Sequence, residues 1–213
     1  MSEIRINQAT AAPLLAEFLG TGILAMVALV LSETTAVSYF IGTSVALALG
    51  VVYLMFSGVS GAHVNPAVTF GMWTARRIGT LRAVCYIIAQ VLGGLGAWLL
   101  YKYLIHQSVA SKTVSWNWRL FVAEAVGTMV LVFGFAALAS RAFSALESAW
   151  TYGTALFVGV IIASTASAGI LNPAVAVAER YVDWVYILGP LAGALVGANV
   201  YNFLFAPSRK TQK

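Results

Sequence analysis

Residues 60–70 read SGAHVNPAVTF and residues 170–175 read ILNPAV, and these two stretches are the most informative part of this 213-residue chain. Each contains the triplet Asn-Pro-Ala, which begins at position 65 in the first stretch and 107 residues later, at position 172, in the second. Asn is a favoured helix N-cap, and Pro is favoured as the first helical residue because its missing N–H needs no partner there. Each triplet therefore predicts the start of a helix.

The segments around the triplets repeat as well. Residues 16–31 read AEFLGTGILAMVALVL and residues 123–138 read AEAVGTMVLVFGFAAL, again 107 positions apart. Residues 86–101, YIIAQVLGGLGAWLLY, match residues 186–201, YILGPLAGALVGANVY, 100 positions apart. Three matches in the same order indicate that the chain consists of two related halves.

The composition places both halves in a membrane. Apolar residues make up 61% of the chain and charged residues 9%, and the mean hydropathy is +0.88, whereas soluble domains are about 45–50% apolar and about 25% charged. This composition excludes an ordinary soluble enzyme, a nucleic-acid-binding protein and a disordered chain. A membrane-spanning helix needs about 20 mostly apolar residues. Six stretches meet this requirement: 12–31, 38–57, 81–103, 119–139, 149–166 and 184–205.

Two shorter apolar pieces, 66–75 and 173–182, each begin with an Asn-Pro-Ala triplet and are too short to cross. Each half holds an odd number of spans, so the halves insert with opposite topology, an arrangement that places binding sites near the membrane midplane. The segments before the triplets, 57–63 and 164–170, are expected to be non-helical and to line a water-filled cavity, because lipid does not tolerate unpaired backbone. Two half-helices then meet N-terminus to N-terminus, which is the geometry of a channel.

Six spans put both termini on one side of the membrane. With the termini in the cytoplasm, eight basic residues lie inside and four outside, as the positive-inside rule requires. We therefore predict an integral protein of the cell membrane with cytoplasmic tails at 1–11 and 206–213. The inner set is Arg5, Arg76, Arg77, Arg82, Arg141, Arg209, Lys210 and Lys213, and the outer set is Lys102, Lys112, Arg119 and Arg180.

With these motifs, and with AEFLGTG and AEAVGTM opening the two halves, the chain resembles the aquaporin and glycerol-facilitator family over about residues 12–205. The resemblance implies an all-α membrane fold of six spanning helices and two re-entrant half-helices, with the inverted repeats at about 12–103 and 119–205 in one domain, 1–213. It also implies a homotetramer with one pore per subunit. The expected function is a passive channel for water and small uncharged solutes such as glycerol, urea or ammonia. No enzymatic activity, cofactor, metal site or nucleic-acid partner is expected.

The two Asn side chains are expected to donate N–H groups to a passing oxygen, while the positive ends of the half-helices repel cations. The pore motifs are Asn65, Pro66, Ala67, Asn172, Pro173 and Ala174. The resemblance implies that backbone carbonyls line one wall of the pore, and these belong to Gly61, Ala62, His63, Ala168, Gly169 and Ile170.

Two acids, Glu17 and Glu124, lie inside predicted spans at equivalent places in the two halves, where an unpaired carboxylate costs at least about 2.5–3.5 kcal/mol. Their symmetry favours a scaffold role, in which they accept hydrogen bonds from the re-entrant loops, as the family uses them. A proton relay is the alternative. For His63, a fixed hydrogen-bonding role in the loop is favoured over gating by protonation.

The predicted selectivity filter departs from the family pattern. Most relatives follow the second triplet with Arg at the narrowest part of the pore, and here that position is Val175. Counting from the triplets places the other filter positions at Val45, Val160 and Gly169. A filter of this composition has no side-chain donor, fixed charge or bulky ring, so we predict a wide and apolar constriction. Arg180 lies about two helical turns past Asn172 and is expected to stabilise the C-terminal end of the half-helix.

Two other functions compete with a passive channel. An ion-coupled secondary transporter is one, because inverted repeats with broken helices occur in that class too; its coupling group would be Glu17, Glu124 or His63. A non-conducting structural membrane protein is the other, and the intact Asn pair argues against it. A solute flux that is independent of proton or sodium gradients distinguishes the channel.

Overall fold

The computed structural model describes residues 8–181 and 183–206, and most of both predicted tails, including Arg5, Arg209, Lys210 and Lys213, lies outside these residues. The described ranges form eight helices and no strand. Six helices are long and apolar enough to cross a membrane. The helices are α1 Gln8–Thr34, α2 Ser38–Ser60, α3 Pro66–Thr74, α4 Thr80–Ile105, α5 Trp118–Leu138, α6 Ala145–Ala163, α7 Pro173–Ala178 and α8 Val185–Leu204.

This arrangement confirms the predicted all-α fold of six spanning helices and two short ones, α3 and α7. Several boundaries differ from the prediction by three or four residues, and two of these differences have a local cause. Helix α2 continues to Ser60, where Gly61 ends it in the left-handed conformation, so the extended part of the first re-entrant segment is shorter than expected. Helix α6 begins earlier because Ser144 and Glu147 form a capping box, in which each side chain bonds the other residue's backbone N–H.

Each half-helix begins at its triplet. Asn65 Oδ1 accepts a hydrogen bond from the N–H of Ala67 at 2.8 Å, and Asn172 Oδ1 accepts one from Ala174 at 3.0 Å. Pro66 or Pro173 occupies the first helical position. The local structure that these residue types favour is therefore present twice.

The two halves interlock. Half-helix α3 of the first half packs against α8 of the second, and α7 packs against α4. Close approach depends on glycine at equivalent positions: a Cβ on Gly93 would lie 2.3 Å from the Phe18 carbonyl oxygen, and one on Gly193 would lie 2.0 Å from that of Ala125. The half-helices are therefore held in the centre of the bundle by helices from both repeats.

Candidate pore

A buried carboxylate holds the first re-entrant loop. Glu17 is 0% exposed, and its Oε1 accepts hydrogen bonds from Ser60 Oγ at 2.6 Å and from the N–H of His63 at 3.0 Å. Its Oε2 accepts from the N–H of Val64 and from Gln90 Nε2, both at 2.7 Å. The carboxylate thus satisfies two backbone N–H groups that belong to no helix.

The second half repeats this arrangement with Glu124. Its Oε1 accepts from Ser167 Oγ at 2.8 Å and from the N–H of Ile170 at 3.1 Å, and its Oε2 accepts from the N–H of Leu171 at 2.8 Å. Both acids therefore have the geometry that a scaffold role requires.

The two Asn side chains bind the opposite loops crosswise. Asn65 Nδ2 donates to the carbonyl of Leu171 at 2.9 Å, and Asn172 Nδ2 donates to the carbonyl of Val64 at 3.0 Å. The sequence did not indicate these bonds, and each uses one of the two hydrogens of the amide. The second hydrogen of each amide remains for a solute oxygen.

This cross-link fixes strained backbone. Val64 has φ of +44° and Leu171 has φ of +56°, a region that β-branched and bulky residues rarely adopt. Such strain persists only where surrounding contacts over-determine it and is concentrated at functional sites. Here the carboxylates bind the N–H groups and the Asn amides bind the carbonyls of these same two residues.

A cavity of about 330 Å³ extends from the Asn pair toward the side of the membrane opposite the termini. The structure brings together all four predicted filter positions, because each of them lines this cavity: Val45, Val160, Gly169 and Val175. Gly169 has φ of +67°, and a Cβ there would lie 2.9 Å from Ser164 Oγ. A larger side chain therefore does not fit at Gly169, and its neighbours in the filter are valines.

Four leucines also line the cavity: Leu24, Leu49, Leu131 and Leu156. We did not predict them, although their spacing could have shown them. Two follow the buried acids by seven residues, which returns to the same helix face after two turns. The other two lie four residues, about one turn, from a filter valine on the same helix.

The cavity opens at what we call the distal mouth, lined by Ser32, Thr35, Lys112, Glu179 and Tyr181. Lys112 Nζ pairs with Glu33 Oε1 at 2.8 Å and lies 5.2 Å from the centre of the Tyr181 ring. Glu179 follows half-helix α7, outside the six spanning helices, and is 5% exposed. Burial raises the pKa of its carboxyl to about 7, against the lowering effect of Lys112.

The mouth residues had no signal in the repeat pattern, because the loop that carries Lys112 has no matching segment in the other half. Arg180 points away from the cavity. Its Nη2 donates to Ser111 Oγ at 3.0 Å, and its guanidinium lies 4.6 Å from the centre of the Trp98 ring. Arg180 therefore does not replace the arginine that the filter lacks.

The carbonyl line differs between the two loops. Ala168, Gly169 and Ile170 line the cavity, whereas its lining includes none of Gly61, Ala62 and His63. The carbonyl of His63 instead accepts a hydrogen bond from Tyr152 Oη at 2.8 Å. The His63 ring is also held, with Nδ1 3.1 Å from Thr69 Oγ1, which is the geometry of a fixed loop residue.

Half-helices that meet at the centre of a membrane bundle, beside a cavity that leads to one face, define a transmembrane channel. The model of the major intrinsic protein family matches residues 5–201, and the chain belongs to this family. Aquaporin TIP1-2 of Zea mays is 34% identical over 182 residues, 79% of this chain and 71% of that protein. Aquaporin NIP1-4 of Oryza sativa subsp. japonica is 33% identical over 208 residues, 90% and 76% of the respective chains.

The fold is also similar to a solved structure. The X-ray structure of the aquaglyceroporin from Plasmodium falciparum aligns with a TM-score of 0.75 at 19% identity, covering 92% of this chain and 97% of that one. The protein is thus an integral membrane protein and a passive channel for water and small solutes, and not an enzyme.

Proposed function

We propose that this channel passes water together with larger uncharged solutes, such as glycerol and urea, and also ammonia, through an unusually wide and apolar filter. The observation that supports this most directly is the cavity itself, where the four filter positions and the Asn pair line one continuous space. Three valines and a glycine present no charge and no side-chain hydrogen-bond donor, so size and the Asn amides select the solute.

In this proposal, the six residues of the Asn-Pro-Ala triplets form the centre of the pore. The free amide hydrogens of Asn65 and Asn172 hold a solute oxygen, and each half-helix N-terminus contributes about half a positive charge that repels cations. The backbone of residues 168–170 supplies acceptors on the distal side. Glu17 and Glu124 keep the loops in place and carry no proton across the membrane.

The two halves, about 12–103 and 119–205, form a single channel domain in this proposal, assembled as a homotetramer in the cell membrane with cytoplasmic termini. The excess of basic residues on the termini side supports this orientation, and family membership supports the tetramer. Native mass spectrometry of the detergent-solubilised protein measures the oligomeric state, and protease digestion of the tails in sealed vesicles measures the orientation.

Stopped-flow light scattering on proteoliposomes tests the solute range with water, urea, glycerol and the four-carbon polyol erythritol. The variant Val175→Arg adds a fixed charge and several donors and should reduce glycerol and urea flux by at least about tenfold, the discrimination that a single methylene group provides in a tight site. Water flux should fall less. Val175→Met, which adds length without charge, separates the two effects.

A correctly folded Val175→Arg channel with unchanged solute ratios would show that Val175 does not face the pore. Wild-type vesicles that pass water but exclude glycerol and urea would show that the pore is too narrow for these solutes, and the proposed solute range would be wrong.

A further inference from the structure

Four rings meet on the termini side of the Asn pair. We call them the aromatic cluster: Tyr53 on α2, His63 in the first re-entrant loop, Phe135 on α5 and Tyr152 on α6. The Tyr152 and Phe135 ring centres are 5.0 Å apart, those of Phe135 and His63 are 4.9 Å apart, and those of Tyr53 and Tyr152 are 5.9 Å apart. Three helices and a loop thus place rings at one level of the bundle.

The position of the cluster along the pore follows from helix geometry. Tyr53 lies eight residues after Val45 on α2, and Tyr152 lies eight residues before Val160 on α6. Eight residues correspond to about 12 Å along a helix, so Tyr53 and Tyr152 lie about 12 Å along their helices from the filter, beyond Leu49 and Leu156. Tyr152 lines the cavity and the other three rings of the cluster do not, so the cavity ends at this level.

The Tyr152 hydroxyl also bonds a carbonyl that the family resemblance assigns to the pore wall. It donates to the carbonyl of His63 and so occupies one of the two lone pairs of that oxygen. A polyol at this level therefore meets aromatic rings where the filter presents valines, and it finds half of this acceptor already in use. Both effects oppose the passage of a large hydroxylated solute more strongly here than at the filter.

We infer that Tyr152 determines the upper size limit of the solutes that this channel passes, and that the valine filter does not. This inference rests on the proposed function, because it names the residue that limits the proposed solute range. Tyr152 acts in two ways: its ring narrows the path, and its hydroxyl occupies one of the two lone pairs of the His63 carbonyl that a solute hydroxyl would otherwise use.

The hydroxyl is tested by Tyr152→Phe, with Tyr86→Phe as a matched control. Tyr86 is 1% exposed and its hydroxyl likewise donates to a backbone carbonyl, that of Ser60, at 2.8 Å; Tyr86 does not line the cavity. Tyr152→Phe should raise glycerol flux about two- to tenfold, the range in rate that one hydrogen bond is worth. Tyr86→Phe should leave glycerol flux at the wild-type value.

The ring is tested by Tyr152→Leu, measured with glycerol, erythritol and the five-carbon polyol ribitol in the same vesicles. The ratio of ribitol to glycerol flux should rise, while Val175→Ala, which widens only the filter, should not raise it. The inference is overturned if Tyr152→Leu assembles normally and keeps the wild-type ratio, or if Val175→Ala raises the ratio as much as Tyr152→Leu does. Should Tyr152→Leu fail to assemble, the phenylalanine variant decides, and unchanged glycerol flux in it overturns the inference.

These outcomes differ from a failure of the proposed function. A wild-type protein that passes water but no polyol, with every Tyr152 variant equally closed to polyols, contradicts both the solute range and the size limit assigned here. A wild-type protein that passes glycerol, with Tyr152 variants that behave identically to it, leaves the proposed function intact and removes only the role of Tyr152.

Discussion

Replacing Glu124 by Gln tests whether the buried acids act as scaffold. A glutamine amide has one acceptor oxygen and one donor NH2 group, whereas both oxygens of Glu124 accept backbone N–H groups, from Ile170 and from Leu171. Whichever way the amide is oriented, one of these two N–H groups then faces another donor. The variant Glu124→Gln therefore leaves a buried backbone donor without a partner.

The magnitude follows from the bonds that are lost or weakened. A buried donor without a partner costs about 1–3 kcal/mol, and hydrogen bonds to a charged acceptor are worth about 1 kcal/mol more than neutral ones. The sum is about 3–5 kcal/mol for Glu124→Gln, taking one lost bond and the loss of charge from the other two. For a chain of this length, that corresponds to a decrease in melting temperature of about 6–20 °C.

Glu17→Gln is the informative comparison. Gln90 already donates to Glu17, and its own Oε1 is buried without a hydrogen-bond partner among the described residues. A flip of the Gln90 amide lets that oxygen accept from the new NH2 group, so Glu17→Gln should lose less stability than Glu124→Gln. Adding Gln90→Leu to Glu17→Gln should remove this difference.

The assay is thermal unfolding of the purified protein in detergent, together with solute flux in proteoliposomes at two proton gradients. The scaffold role predicts lower melting temperatures and a flux that is independent of the gradient. If both glutamine variants melt at the wild-type temperature and lose a pH-driven uptake instead, the acids couple transport to protons and the scaffold reasoning is refuted.

Two further predictions concern charge along the path. Asn65→Asp or Asn172→Asp should raise potassium flux in liposomes, because one carboxylate offsets the roughly half positive charge at each half-helix N-terminus; unchanged potassium exclusion in both would contradict the central barrier. Burial raises the Glu179 pKa from 4.5 to about 7, so between these pH values the folded state holds more protons than the unfolded state. The free energy of unfolding therefore falls as the pH rises from 4.5 to 7, by up to about 3 kcal/mol. Glu179→Gln should therefore melt higher than wild type at pH 8 and close to it at pH 4.5, and equal pH dependence in both proteins would contradict this.

The parts of the fold that could be predicted from the sequence are those that the chain repeats. The buried acids and the triplets recur 107 residues apart, and the three spans of one half correspond to the three spans of the other. Each signal in one half therefore supported the equivalent signal in the other. A repeated polar residue inside an apolar span has few roles, and the structure shows the same bonds around both acids.

Other features depend on packing that no local pattern records. The aromatic cluster brings residues 53, 63, 135 and 152 together from four segments, and each of the six spanning helices carries at least one aromatic side chain, so their presence does not mark the cluster. The loop that carries Lys112 at the distal mouth has no apolar periodicity and no equivalent segment in the other half of the chain. The early start of α6 could have been predicted, because Ser144 and Glu147 have the spacing of a capping box. The apolar pattern alone predicts a later first residue for this helix.

The places where the repeat breaks determine how the pore selects its solute. The carboxylates and the Asn amides make equivalent hydrogen bonds to both re-entrant loops. They therefore hold both loops in place and do not make the two sides of the pore different. The first half also has three polar side chains, His63, Thr69 and Gln90, which bond to one another or to the Glu17 carboxylate. The equivalent positions in the second half hold Ile170, Ala176 and Pro190. The four filter positions and the leucines of the cavity present only apolar side chains and backbone, whereas these polar side chains pack beside the first loop on the termini side. Because the filter positions carry no charged or polar side chain, we propose that discrimination between large solutes occurs on the termini side, where Tyr152 lies at the end of the cavity.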